Sequence, residues 1–164
     1  MAIVDALLPE FDHEMATTRK VLERVPEEKF DWKPHNKSMT LGGLASHVAN
    51  IVWWGTVTLD RPDIDLEQYP PNKPATGRTE LLALFDKNLA ATRSSLAGKT
   101  DAELMAPWSL KQGKTTFFTM PKAAVWRSFV MNHLVHHRAQ LGVYLRMNDV
   151  AVPAMYGPSA DEAS

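Results

Sequence analysis

Apolar positions recur at helical spacing over four long stretches of the chain. Across residues 2–25, Val4, Leu7, Leu8, Phe11, Met15, Thr18 and Leu22 follow one another mostly at intervals of three and four, the period of an amphipathic helix. Pro26 stops that run. The stretch 26–38 is polar, contains Pro34 and reads as a connection. A second helix is expected from about Thr40 to Leu59, with Ser38 or Thr40 as its cap and Asp60, Arg61 and Pro62 at its end. Residues 62–77 hold prolines 62, 70, 71 and 74 and read as a long, stiffened crossover. A third helix fits Thr79 to Leu96, with Leu81, Leu82, Phe85, Leu89 and Leu96 on its apolar side and Gly98 as its stop. Thr100 to Glu103 matches a capping box that opens a short helical turn. Between Trp108 and Thr119 the pattern changes to Thr and Phe around Gln112-Gly113, which suits a small hairpin. The last helix runs from about Pro121 to Met147, and an irregular tail follows Asn148.

These elements predict an all-α fold. It is a single domain over 1–164, a four-helix bundle with a long crossover between the second and third helices and a small hairpin before the fourth.

Composition narrows the chemistry. With 164 residues, 45% hydrophobic and 23% charged, the chain suits one core. A formal net charge of -1 leaves no basic excess for nucleic acid or an anionic membrane. No window approaches the roughly 18 apolar residues of a membrane span. The absence of cysteine excludes disulfides, thiolate metal sites and a cysteine nucleophile. Any metal must therefore be held by His, Asp or Glu. The opening MAIVDALLPEFDHEM lacks a basic region followed by a long apolar run, so a cytoplasmic location is expected.

The histidines carry the chemical signal. On a wheel of about 100° per residue, His133 and His137 fall in the middle of the last helix's apolar stripe, beside Trp126, Val130 and Tyr144. Arg127 and Arg138 fall beyond one edge of that stripe, and His136 on its other shoulder. His47 falls in the middle of the second helix's apolar face, with Leu44, Ile51 and Trp54. A buried imidazole must satisfy both ring nitrogens. Two at i and i+4 have β-carbons only about 5–6 Å apart, and one ion can accept a nitrogen from each ring. The i, i+4 spacing is that of H-E-x-x-H zinc helices, but Leu134, Val135 and His136 lie between, so the built-in glutamate base of a zinc protease is missing. The competing reading is three satisfied core histidines in an ordinary bundle.

Trp54 shares the face of His47 and is a candidate pocket wall, although adjacent Trp53 and Trp54 should not share a face. Gln140 is placed to orient a ring nitrogen from behind. Tyr144, on the His137 stripe, could present its hydroxyl to a ligand. Ordinary core packing competes for both Trp54 and Tyr144. His13 and His35 read as surface residues. Met131, Val135, Ala139 and Gly142 form a second, milder apolar strip, which motivates a homodimer.

The segment LGGLASHVAN, the late HLVHHRAQLGVYLR and the following VPAMYGPS resemble the DinB-like family of small metalloenzymes, which includes YfiT-type bacterial thiol S-transferases. The resemblance spans nearly the whole chain. It implies a four-helix bundle, frequent homodimers and one divalent metal (zinc, nickel or iron) on His47, His133 and His137. It further implies a metal-dependent enzyme acting on a small molecule, with thiol S-transfer from a low-molecular-weight thiol as the first expectation. Metal-assisted hydrolysis is the second, and a non-enzymatic metal- or ligand-binding stress-response module is the competing class.

Overall fold

Local chemistry at the helix ends explains where two of the helices begin. Thr40 caps α2 (Leu41–Asp60), its Oγ1 accepting from the Gly43 amide at 3.0 Å. Thr100 and Glu103 form both halves of the expected capping box, opening α4 (Asp101–Met105). α1 spans Ile3–Glu23 and α3 spans Arg78–Ala97. Gly98 ends α3 as expected, yet at φ -92°, so the left-handed glycine stop is not what terminates it. The computed structural model describes residues 1–69 and 73–163. Pro70 and Pro71 of the crossover lie outside the described residues.

The chain is mostly helical, but it is not all-α. Strand β1 (Asp63–Asp65) lies in the proline-rich crossover and pairs in parallel with β2 (Pro107–Gln112), which pairs antiparallel with β3 (Thr115–Pro121). The expected hairpin is therefore present with a third strand added. Ile64 explains the addition. It is 1% exposed and packs with Val57, Trp108, Leu110 and Val125 in a second, smaller core. Asp63 and Asp65 on either side point away and hold the hairpin. Asp63 pairs with Lys111, and Asp65 accepts from the Gly113 amide at 2.9 Å. Gly113 stands in the tight turn at φ 55°, where a side chain would be strained.

α2 is the central helix, packed against α3 on one side and the last helix on another, with α1 closing against α3. The main core lies among these helices, built on Phe11, Leu22, Leu44, Ile51, Phe85 and Leu141. The last helical run is one path of three parts: α5 (Lys122–Val125), a π-helical turn (Trp126–Met131) and α6 (Asn132–Met147). The wider π turn changes the angular step relative to an ideal wheel. Trp126 enters the main core, 5.4 Å from Phe11, while Phe129 joins the second cluster.

Arg138, which the wheel placed outside the apolar stripe, is 1% exposed. Its guanidinium pairs with the Glu14 carboxylate at 2.7 Å and donates to the Glu14 carbonyl and Thr18 Oγ1, both at 3.1 Å. It also donates to the Tyr156 hydroxyl at 2.6 Å, and that hydroxyl in turn donates to Glu14. The C-terminal tail is thereby tied to a buried ion pair between α1 and α6. The same tail covers part of the second apolar strip. Gly142 is buried, and a Cβ there would meet Met155 and Val152. Met131 is buried too, Val135 is half-buried and Ala139 is exposed.

Candidate metal centre

His47 projects from α2, and His133 and His137 from successive turns of α6, so the three rings meet where the two helices pack. Ring centroids are 5.1 Å apart for His47 and His133, 4.6 Å for His47 and His137, and 4.8 Å for His133 and His137. One nitrogen from each ring lies within 4.8 Å of the other two. His47 Nε2 and His133 Nε2 are 3.3 Å apart. Two ligands at ~2.0–2.1 Å from a tetrahedral zinc stand about 3.3 Å from each other, so that pair already has the spacing an ion requires.

Two of the three rings are also held in suitable tautomers. Gln140 Oε1 lies 2.7 Å from His137 Nδ1, which places the proton on Nδ1 and leaves Nε2 a lone pair. The His133 ring donates to the Phe129 carbonyl, leaving Nε2 toward His47. Partners behind metal-binding imidazoles do this same work. Three neutral nitrogen donors fit a borderline divalent ion.

Electrostatics agree. Burial, then the neighbouring His137 and His133, push the His47 imidazole down to about 4. Burial likewise lowers His133, with His137 adding to the effect and the Phe129 carbonyl opposing it. Burial lowers His137, opposed by the hydrogen bond that its ring donates to Gln140. All three are therefore neutral at pH 7, the form that donates to a metal. A stability consequence follows. The unfolded chain takes up protons near the ordinary histidine value of about 6.5, which the folded rings refuse. The metal-free protein should lose stability as pH falls from about 6.5 toward about 4. Thermal melts in chelator at stepped pH measure this, and an unchanged melting temperature between pH 7 and 5 would contradict it.

A cleft of about 750 Å³ opens beside the centre, lined by His47 with Trp53, Trp54, Leu66, Tyr69 and Met39 among others. His133 and His137 are not among its lining residues, so the three-histidine group sits at the margin of the cleft. Trp54 lines it. So does Trp53, contrary to the wheel, because two indoles with centroids 5.7 Å apart and planes at 70° reach the same groove from adjacent backbone positions. Trp54 also meets Phe129 at 5.4 Å, and Phe129 meets His133 at 5.8 Å. Tyr144 is not among the described lining residues but touches one of them. Its hydroxyl donates to the Met39 carbonyl at 3.4 Å and its ring stands edge-on to Trp32. His136, His13 and His35 are exposed.

Sequence reasoning missed Phe129, Leu66 and Tyr69. Phe129 lies four residues before His133, a spacing that was available. Leu66 and Tyr69 arrive on the crossover that β1 pins down, and no local pattern announces them.

A mostly helical chain with three histidines converging from two helices defines a class, and comparison with known proteins gives its family. The sequence matches the DinB family over residues 2–164, and the chain belongs to that family. It is 24% identical over 163 residues to the uncharacterized protein YrdA of Bacillus subtilis (strain 168), covering 97% of this chain and 91% of that protein. Among solved structures it is similar to a DinB-like protein from Bacillus cereus ATCC 10987, with TM-score 0.70, 23% identity, and coverage of 94% of this chain and 98% of the other. It is also similar to the DinB-like protein YjoA from Bacillus subtilis, with TM-score 0.71, 18% identity, and coverage of 92% and 96%. No helix among the described residues is long and apolar enough to cross a membrane.

Proposed function

We propose that this protein is a metal-dependent enzyme that joins a low-molecular-weight thiol to an electrophilic small molecule, with His47, His133 and His137 holding one divalent ion, zinc, nickel or iron. The observation that carries the reading is the convergence of three neutral ring nitrogens at the margin of a small-molecule-sized cleft. Three protein ligands leave positions open, unlike a closed structural zinc. When bound, the ion supplies Lewis-acid chemistry, lowering the pKa of a thiol or a water that reaches it. Gln140 and the Phe129 carbonyl keep the rings oriented, and Trp54 and Phe129 screen the centre from water. No described lining residue of the cleft is a carboxylate. That favours a thiol, which needs less help from a base than water does. The reading takes the protein as a cytoplasmic homodimer that acts on a small molecule and not on nucleic acid or membrane. Light scattering that gives a monomer would remove the dimer.

The test incubates metal-loaded protein with glutathione or cysteine and a panel of electrophiles, following thiol loss and adduct mass. Adduct formation that falls to background in His137→Ala is expected. A water-derived product with the thiol untouched would replace transfer by hydrolysis. Bound metal without turnover would leave a binding module, and a variant that loses metal and melts would mark the ion as structural.

A further inference from the structure

The cleft beside His47 has walls unlike those of a site for a charged compound. None of its eleven described lining residues is Asp, Glu, Lys or Arg. Arg61 stacks on the Tyr69 ring at 5.3 Å, but it is not among the lining residues. Two of the lining hydroxyls already serve the fold: Thr40 Oγ1 caps α2, and Ser46 Oγ accepts from the Ala75 amide at 2.9 Å. Besides His47 and the Asn50 amide, the rest of the described lining is apolar or aromatic, with Trp53, Trp54 and Tyr69 its largest side chains. Trp53 stands 5.8 Å from Tyr69 and 5.7 Å from Trp54, and contacts continue through Phe129 to His133. An unbroken path of rings thus runs from Tyr69 to the metal centre. In the metal-free protein, a charged group entering this cleft gives up its water and finds no counter-charge among the described lining residues. A flat ring finds faces and edges to pack against.

We propose that the cleft selects an uncharged aromatic small molecule, held among Trp53, Trp54 and Tyr69 with its reactive substituent toward His47. This names the electrophile of the thiol-transfer reading and rests on that reading for the direction in which the substituent points. The binding itself needs no metal.

Calorimetric titration of metal-stripped protein at pH 7 with 2-naphthol, 2-naphthoate and 2-naphthylmethylammonium tests it. All three share one ring system and differ in charge. The neutral compound should bind at one site per chain, with both ions at least about tenfold weaker. Trp54→Leu keeps the wall apolar and should weaken 2-naphthol about tenfold. Leu66→Arg should weaken 2-naphthol and strengthen 2-naphthoate, an exchange that general loss of structure does not produce. Naphthoate binding as well as naphthol, no naphthol binding, or affinities untouched by both substitutions would each overturn the proposal. Naphthol binding to stripped protein, with no thiol consumed by loaded protein, would keep the substrate class and discard thiol transfer.

Discussion

Replacing His133 and His137 together by alanine is expected to take the protein from about one divalent ion per chain to none, with the fold retained. Only His47 would remain, and one imidazole does not hold an ion against water and buffer. The helix does not depend on the two rings for its seat. Leu134, Leu141 and Leu145 on α6 are at most 1% exposed and anchor it in the main core. Elemental analysis of untagged protein purified without chelator reads the result directly. Melting gives a second reading. An ion at about a thousand times its Kd stabilises by about 4 kcal/mol, which for a chain of this size is a rise of roughly 8–16 °C. The parent should show that rise with zinc or nickel, and the double variant none. No metal in the parent, and none taken up on addition, would leave three core histidines in an ordinary helical fold.

Arg138→Met is expected to be the most damaging single change away from the cleft. It strands the Glu14 carboxylate, 7% exposed, without its partner 2.7 Å away. Breaking a buried pair by removing one member costs about 3–5 kcal/mol, a fall in melting temperature of roughly 6–20 °C. Removing both charges separates the pair's net worth from the penalty of an orphaned charge. Glu14→Gln with Arg138→Met should recover most of the loss. If Arg138→Met melts within a degree or two of the parent, the buried pair contributes nothing to stability.

The helices were legible because their apolar positions repeat locally, and the three histidines were legible because each lay in the middle of such a repeat. The features that were not legible depend on partners distant in sequence or on a departure from ideal geometry. β1 is three residues long, charged on both sides of Ile64, and gains meaning only against a strand 46 positions later, as Asp63 pairs with Ser109. Arg138 looked peripheral because its partners, Glu14 and Tyr156, lie on another helix and in the tail. Trp53 was misplaced because backbone angle alone ignores how far an indole reaches. That the tail covers Gly142 of the second apolar strip was not legible, because the tail has no pattern of its own.

The parallel pairing of β1 with β2 also orders events in time. β2 and β3 are joined by a tight turn and can pair within microseconds. β1 must wait for a loop that contains the whole of α3 to close, and such distant contacts form late. Leu66 and Tyr69 follow β1 directly, so on this argument their wall of the cleft forms only after that loop closes. Mutation of Ile64 should accordingly speed unfolding and leave the folding rate nearly unchanged, and a slowed folding limb would place β1 in the nucleus instead.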